Sequence, residues 1–364
     1  MQYEEILKSL ASSKIGSHRL LSDIRELSRK LAAERAGLRY AYLNEPAYLQ
    51  AYLNYFLPWN IYRLALLLPD LPMNIQENTV ITDLGSGPLT MLQALWLFRP
   101  ELREQRLTFH CMDSSGKIMK KGLDIFNILS KGRSVWQIVL HEGDIGRLPA
   151  TLRGKADLIT ALNVLNELKK EREENLQYYV KRHLKEFMRC LKSQGDVFLM
   201  EPGTRLGGRL ISQARFVIET QGGQTASPCT HGEKCPILAE GCRSWCHFRH
   251  KLSWIPSRLG NLSEKSGLLK KEISLSFLYA SIGDKTVRPE AKDFFYVRIL
   301  SDPFQLPEKE GDYCYGCAFC GLLLVPAGYG REKLSPGQMV KCSAGQPVEI
   351  DKKSGAKLVK FYQT

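Results

Sequence analysis

Between residues 77 and 219, short apolar runs alternate with longer stretches of helical spacing, and this alternation restricts the fold more than any other feature of the sequence. Short apolar runs are typical of buried strands, whereas the stretches between them are long enough for helices. Strands that alternate with crossover helices form a parallel sheet covered on both faces. The predicted strands are residues 79–84, 107–113, 136–141, 156–161 and 196–200, and the predicted helices include 90–98, one that ends at 128, 171–191 and 206–219.

The flanking segments follow other patterns, and they predict three regions. Residues 1–75 form a helical region, in which one helix spans 45–57 and ends at Pro58. Residues 76–302 form the α/β domain, with 273–279 and 294–300 as the sixth and seventh strands of its sheet. The cysteine-rich segment 223–255 is predicted to be an insertion in this domain. The tail, 303–364, is predicted to be a small β extension.

Charge and hydropathy narrow the class of partner. The formal net charge is +13, from 51 Lys and Arg against 38 Asp and Glu, which favours a polyanionic partner such as RNA over solubility alone. No apolar run is long enough to span a bilayer, and the first residues lack a secretory pattern. We therefore expect a cytoplasmic protein, most simply a bacterial one, that is monomeric and has no membrane partner.

A glycine turn closes the first predicted strand, where residues 83–88 read Asp-Leu-Gly-Ser-Gly-Pro. Such a turn lets the backbone approach a ligand closely at the carboxyl end of a parallel sheet. A dinucleotide site and a plain structural turn are the alternatives. S-adenosylmethionine is favoured because the further spaced glycine of dehydrogenases is missing and because acidic residues end the next two strands. Leu89 departs from the pattern, since many methyltransferases have another small residue there. The candidate cofactor-binding residues are Asp83, Gly85, Ser86, Gly87, Asp113, Asp144 and Asn163.

These features together predict a Rossmann-like class I methyltransferase sheet with an N-terminal helical region, a cysteine-rich insertion and a small C-terminal β extension. In this interpretation Asp113 accepts hydrogen bonds from the ribose hydroxyls of the cofactor. Asp144, in the Gly-Asp-Ile after the third strand, meets its adenine amino group.

Seven of the ten cysteines fall into two groups, and such clustering is typical of metal ligands rather than of buried structural thiols. Free thiols are the alternative. The paired Cys-x₂-Cys knuckles of a zinc ribbon are missing, whereas the second group resembles an iron–sulfur run. A radical S-adenosylmethionine enzyme is disfavoured. Such an enzyme has a compact three-cysteine loop early in a barrel domain, whereas these cysteines follow the glycine turn and the strand pattern is not that of a barrel. The groups are Cys229, Cys235, Cys242 and Cys246, followed by Cys314, Cys317 and Cys320.

The chain resembles the Rsm22-type small-ribosomal-subunit proteins, whose mitochondrial members are methyltransferase-like assembly factors. The segments that carry the resemblance are 51–58, 83–88, Leu-Asn-Val-Leu-Asn-Glu-Leu at 162–168, Glu-Pro-Gly-Thr at 201–204, Pro-Cys-x-His at 228–231, Cys-Pro at 235–236 and Trp-Cys-His-Phe at 245–248.

The resemblance implies a role with the small ribosomal subunit or its rRNA, and a [4Fe–4S] cluster. Its ligands would be Cys229, Cys235, Cys246 and Cys317. Cys242, Cys314 and Cys320 exceed this pattern, so a second small metal site stays open.

The segment after the fourth strand contains the candidate catalytic residues Asn163, Asn166 and Glu167. It lacks the Asp/Asn-Pro-Pro-aromatic signature of amino-methylating enzymes and the Pro-Cys of carbon-methylating ones. Glu167 also suits a plain helix start. Two hypotheses follow: an rRNA methyltransferase, or an rRNA-binding assembly factor with a structural metal site and no turnover.

Overall fold

The computed structural model describes most of the chain: residues 18–32, 41–168, 175–252, 255–283, 294–307, 309–327, 334–343, 347–351 and 354–359. Within these ranges, no helix is both long enough and apolar enough to cross a membrane. The chain divides into two compact units. The first comprises residues 1–175, 182–198 and 251–273, and the second 176–181, 199–250 and 274–364.

The first unit begins with an amphipathic helix, α1 (His18–Ala32), which buries Leu20, Ile24 and Leu27 on one face, as their spacing predicts. Two further helices follow, α2 (Pro46–Ala51) and α3 (Leu57–Ala65).

The prediction that a helix ends at Pro58 was wrong. A single π-helical turn, Tyr52–Phe56, joins α2 to α3, so the chain stays helical and Pro58 lies in the first turn of α3. A proline lacks the backbone N–H and is tolerated in a first turn, where that group has no intrahelical partner. Single π turns widen a helix locally and often mark functional positions.

The sheet of the first unit follows the predicted alternation. Strands β1 to β4 pair in parallel, with β1 between β2 and β4, and the order is β3-β2-β1-β4-β5. The strands are β1 (Val80–Leu84), β2 (Thr108–Asp113), β3 (Gln137–Glu142), β4 (Ala156–Leu162) and β5 (Leu191–Pro202). The helices are α4 (Thr90–Phe98), α5 (Gly116–Ser130), α6 (Leu165–Leu168) and α7 (Leu176–Met188); the predicted start of α7, at 171, lies outside the described residues.

The end of β5 belongs to the second unit, where β8 and then β6 follow it in the sheet order and β7 pairs with β8. β6 and β8 are antiparallel. The elements of this part are α8 (Arg205–Glu219), β6 (Gln224–Ser227), β7 (Phe248–Lys251) and β8 (Glu272–Ile282); α9 (Ser257–Lys265) lies in the first unit.

The predicted sixth strand of this sheet is present as β8, but the predicted seventh, residues 294–300, was assigned to the wrong sheet. Those residues form β9 (Phe294–Ile299), which pairs with β11 and β13 in a separate seven-stranded sheet. The missing strand is β6, whose sequence Gln-Thr-Ala-Ser has no apolar run. The second sheet also contains β10 (Phe304–Gln305), β11 (Asp312–Ala318), β12 (Gly321–Pro326), β13 (Met339–Ser343), β14 (Pro347–Ile350) and β15 (Lys357–Val359).

In the first sheet, β8 lies between β5 and β6 although it follows both in the chain, and it pairs with β6 in antiparallel. This is the strand order of a class I methyltransferase. The predicted α/β fold, with a helical N-terminus and C-terminal strands, is confirmed.

Helix α5 packs directly on the turn that follows β1. A Cβ atom at Gly122 would lie 2.3 Å from both the carbonyl carbon and the oxygen of Pro88. Because these are backbone atoms of the turn, a side chain at position 122 would have to displace it. Gly122 therefore links the packing of α5 to the conformation of the turn that follows β1.

We expect Gly122→Ala to destabilise the protein by about 1 to 3 kcal/mol, as overpacking does. Gly260 in α9 is a matched control, because a Cβ there meets only the Ile255 side chain at 3.9 Å. Gly260→Ala should stabilise by about 0.5 to 1 kcal/mol, through helix propensity. Urea unfolding of both variants measures this; equal effects at the two positions would contradict it.

Candidate functional site

The glycine turn after β1 is held by its own backbone and by Ser86. The Ser86 hydroxyl donates to the Asp83 carbonyl oxygen at 2.6 Å, and the Ser86 backbone N–H donates to the Met112 carbonyl oxygen at 3.0 Å. Gly85 and Gly87 have φ of +67° and +52°, a region that disfavours other side chains. A Cβ at Gly85 would lie 2.5 Å from Val164 Cγ2. The turn thus depends on both glycines.

Asp113 connects this turn to the end of β2. Its Oδ2 accepts a hydrogen bond from the Gly87 N–H and its Oδ1 accepts one from the Ser115 N–H, both at 2.9 Å. Burial raises the pKa of Asp113, while these backbone bonds lower it. A carboxylate has about four lone-pair sites, so it can still accept the two hydroxyls of a ribose.

Asp83 lies buried beneath the turn. Its Oδ1 accepts a hydrogen bond from the Thr160 hydroxyl at 2.6 Å, and its Oδ2 has no hydrogen-bond partner within the described part of the chain. Burial raises the pKa of Asp83 to about 7, because the charged form loses its hydration. A buried acceptor without a partner is costly unless a ligand or water supplies a donor.

A cavity of about 350 Å³ opens at the carboxyl ends of β1 to β4. This volume suits a nucleoside-sized ligand. Five of the seven predicted cofactor residues line it, and the other two, Asp83 and Ser86, are buried and are not part of its lining. The five are Gly85, Gly87, Asp113, Asp144 and Asn163.

Asn163 forms the far edge of this cavity, directly after β4. It has a φ of +60°, which Asn tolerates better than most residues. Its Nδ2 donates to Asn60 Oδ1 at 3.3 Å, and its Oδ1 has no partner among the described residues. Asn60 Oδ1 also accepts from Arg63 at 2.6 Å, and Asn60 Nδ2 donates to the Tyr52 hydroxyl at 3.3 Å. The N-terminal helices thus support the pocket edge.

The three candidate catalytic residues have different positions. Asn163 and Glu167 line the cavity, whereas Asn166 is buried and is not part of the lining. Tyr52 also lines it, and burial followed by the carboxylates of Glu167 and Asp113 raises the pKa of its hydroxyl. Glu167 and Tyr52 are therefore ionisable side chains in the wall of the cavity.

The sequence did not indicate four of the lining side chains: Tyr42, Tyr52, Arg182 and His183. Tyr52 is the first residue of the π turn, a feature that spacing alone does not show. Arg182 and His183 lie on the polar face of α7. In the sequence, such a face indicates only contact with solvent. Burial and the adjacent charge of Arg182 lower the pKa of His183, which favours a neutral imidazole in the wall of the cavity.

A second cavity, of about 30 Å³, lies within the second unit. Four cysteines line it: Cys229, Cys235, Cys246 and Cys317. The first three come from the segment between β6 and β7, and the fourth from β11. Burial and then the neighbouring thiolates of Cys229 and Cys235 raise the pKa of Cys246. Burial, followed by the same two thiolates and that of Cys246, also raises the pKa of Cys317. The four thiols therefore lie close enough to interact electrostatically.

The alternation of side chains along β11 separates its cysteines. Cys314 and Cys317 are three residues apart and point to opposite faces of the strand. Cys314 is buried in the apolar core with Val297, Ile299 and Leu323, and Cys320 packs against the same core. Cys317 faces the cavity, where His231 Nε2 lies 3.3 Å from its sulfur. The spacing Cys-x₂-Cys-x₂-Cys is therefore part of a strand and hairpin rather than one ligand loop.

Cys242 belongs to a small buried cluster with Ile237 and Leu300, next to Cys235, Cys246 and Cys317. It does not line the cavity itself. Across the ranges that the structure describes, no group of three or more His, Cys, Asp or Glu side chains is arranged to hold a single metal ion.

The family comparison agrees with the fold. The model of the family described as mitochondrial small ribosomal subunit Rsm22 matches residues 77–297, which is more than half of the chain. The chain therefore belongs to the Rsm22 family, and the predicted resemblance is confirmed. A comparison with curated proteins finds no sequence match.

Solved structures resemble the chain only loosely. Magnesium protoporphyrin IX methyltransferase from Synechocystis PCC 6803, with bound SAH, is 12% identical, with 68% of this chain and 100% of that one covered and a TM-score of 0.39. The YcgJ protein from Bacillus subtilis is 13% identical, with 62% and 100% covered and a TM-score of 0.35. A SAM-dependent methyltransferase from Aquifex aeolicus is 14% identical, with 62% and 98% covered and a TM-score of 0.31. At such scores, the fold assignment depends on the strand order itself.

The raised pKa of Asp83 predicts a pH-dependent stability. Because the folded pKa is about 7 and the ordinary value is 3.8, the folded protein binds the proton more tightly. The contribution of Asp83 is fully present below about pH 4 and is lost as the pH rises through about 7. Relative to that of Asp83→Asn, the free energy of unfolding of the wild type should fall by about 3 kcal/mol between about pH 5 and pH 8. Urea unfolding of both proteins measures it, and parallel pH profiles would contradict it.

Proposed function

We propose that this chain binds S-adenosylmethionine in the cavity of the first unit and acts on the small ribosomal subunit, through its rRNA, in ribosome assembly or translation. The observation that carries the proposal is the cavity at the strand ends, where the glycine turn and Asp113 meet in a member of the Rsm22 family. The predicted cytoplasmic location is part of the same proposal.

The residues of the cavity suit this cofactor. Gly85 and Gly87 leave room for its close approach to the backbone, and Asp113 can accept the ribose hydroxyls. Asp144 is exposed at the rim, where it can meet the adenine amino group. At the edge of the cavity, the acceptor atom Asn163 Oδ1 suits a donor such as the amino group of the cofactor. When bound, S-adenosylmethionine supplies an electrophilic methyl group.

The charge of the chain supports an RNA partner. A net charge of +13 favours a polyanion, because lysine and arginine side chains release condensed counterions when they neutralise phosphates. The name of the family refers to the small ribosomal subunit, so its rRNA is the polyanion that we propose. We propose that the chain binds it as a monomer.

A binding protein without turnover is the second candidate, and the edge after β4 favours it. That edge presents Asn163 and Glu167 but no Pro-Pro-aromatic or Pro-Cys signature. Methyl transfer from labelled donor to isolated small subunits, measured anaerobically, separates the candidates. Incorporation that Glu167→Gln abolishes supports an enzyme. No incorporation by a protein that binds both cofactor and subunit supports the second candidate.

Gly87→Ala tests the cofactor pocket. Its new methyl group would enter the cavity, since nothing lies within 4 Å of a Cβ there. Gly132→Ala is the matched control, with a φ of +66°, equally open surroundings and no part in the cavity. Both variants should lose about 1 to 2 kcal/mol of stability from left-handed backbone. Only Gly87→Ala should weaken S-adenosylmethionine binding, by about tenfold or more. Calorimetric titration measures the affinity, and equal affinities for the two variants would count against the pocket.

For the second unit, the proposal is a [4Fe–4S] cluster with Cys229, Cys235, Cys246 and Cys317 as ligands. Four cysteine thiolates are the usual ligands of such a cluster, and zinc is the alternative. In a zinc site all four sulfur atoms lie about 2.3 Å from one ion. Here four thiols line one cavity, and this donor set suits a cluster.

The proposed cluster would be structural. It would join the segment between β6 and β7 to β11, and the free energy of metal binding would become folding free energy of the second unit. None of the four thiols lines the cavity proposed for the cofactor, so the cluster would take no part in methyl transfer.

Cys317→Ser and Cys320→Ser form a matched pair three residues apart. Cys317→Ser should lose most of the bound iron and the visible absorbance, and should lower the solubility and thermal stability, as should Cys229→Ser. Cys320→Ser should keep the metal, because Cys320 packs against the apolar core and not the cavity. Iron and zinc analysis after anaerobic purification measures this. Loss of metal from Cys320→Ser, or zinc in the wild type, would overturn the assignment.

A further inference from the structure

The cavity that the four cysteines line also contains two arginine side chains, Arg215 on α8 and Arg298 on β9. They are the charged residues other than cysteine in the lining, within the described part of the chain, and no carboxylate contributes to it. A guanidinium group attracts an anion, and the attraction is stronger where less water surrounds the pair. A cavity with four thiols and two guanidinium groups therefore suits an anionic occupant.

Arg215 is almost completely buried and firmly held. Its Nη2 donates to the carbonyl oxygens of Glu233, at 2.5 Å, and His231, at 3.3 Å. Its Nε donates to the Glu219 carboxylate at 2.7 Å, so part of its charge is already balanced. Both carbonyls belong to the loop between Cys229 and Cys235, and Arg215 thus positions that loop.

Arg298 is bound mainly to backbone on two sides of the cavity. Its guanidinium donates to the Pro228 carbonyl oxygen at 2.8 and 3.2 Å and to the Gly337 carbonyl oxygen at 2.7 Å. Pro228 directly precedes Cys229, so this contact fixes the start of the cysteine segment. Carbonyl oxygens carry no formal charge, so these hydrogen bonds do not themselves cancel the positive charge of the guanidinium.

The strand register places Arg298 beside Cys317. In the antiparallel pair β9–β11, Cys317 lies directly opposite Arg298. Directly opposite residues have side chains on the same face of a sheet, about 4.5–5.5 Å apart at Cβ. Both residues line the cavity. The register that turns Cys317 toward the other thiols therefore brings a cation with it.

We propose that Arg215 and Arg298 compensate the charge of the cluster, and that Arg298 raises its reduction potential and helps to retain it. This inference rests on the proposed cluster. A [4Fe–4S]²⁺ core with four thiolates is doubly negative, and one electron from an external donor makes it triply negative without forming or breaking a bond. A guanidinium held close to the cluster stabilises the more negative, reduced state.

Three variants of the full chain, purified anaerobically, separate charge from structure. Arg298→Gln removes the charge, and Arg298→Lys keeps it. Arg209→Gln is the matched control, because Arg209 also donates to a backbone carbonyl of the cysteine segment, that of Cys242 at 2.7 Å, but does not line the cavity. Iron content is measured first, and then the midpoint potential by a dithionite titration followed by electron paramagnetic resonance.

Arg298→Gln should shift the balance between reduced and oxidised cluster at least about tenfold toward the oxidised form, which for one electron is about 59 mV. Arg298→Lys should shift less, and Arg209→Gln should match wild type. If Arg298→Gln retains too little cluster for the titration, the rate at which its remaining iron is released into a chelator is compared instead. Faster release from Arg298→Gln than from Arg298→Lys supports the proposal.

Two results would overturn this inference: a wild-type potential in Arg298→Gln, or equal iron release from Arg298→Gln and Arg298→Lys. Zinc, or no metal, in the wild-type protein would instead defeat the proposed cluster itself. The iron content of the wild type thus distinguishes the two failures before any variant is measured.

Discussion

The parallel pairing of β1 with β2 and β4 is the constraint from which the first unit follows. It places the carboxyl ends of three strands at one edge, where the glycine turn, Asp113 and Asn163 meet. The two bonds that Asp113 accepts, from Gly87 and Ser115, hold this edge together. Because Gly122 leaves no space for a side chain against Pro88, the first crossover helix presses on the same turn. The cavity is thus a product of backbone packing before any ligand binds.

The second unit depends on a different constraint, the period of two along a strand. Cys314 and Cys317 differ by an odd number of positions, so one enters an apolar core and the other enters a cavity with three further thiols. The same alternation, across the β9–β11 register, turns Arg298 toward the thiols. One strand pair therefore brings both a fourth thiol and a positive charge to the cavity, and our proposal of an anionic metal centre depends on this.

Much of the fold could be predicted because its strands are continuous apolar runs, and such runs are visible in the sequence. The failures have physical causes. β6 is a short polar strand at the edge of its sheet, and it is stabilised by pairing with β8 rather than by its own composition. β9 has an apolar pattern that fits either sheet, and its pairing with β11 and β13 decides to which sheet it belongs. Pro58 predicts a helix end, but a π turn before it lets the helix continue.

The sequence by itself determined the order of strands and helices, the glycine turn, the carboxylates at the strand ends and the family to which the chain belongs. All of these are local patterns, set by neighbouring residues. The tertiary structure decided which cysteines share a cavity, that Tyr52 supports the edge of the first cavity through Asn60, and that two arginines accompany the thiols. These results depend on strand register and on contacts between residues far apart in the chain, and spacing along a sequence does not specify either.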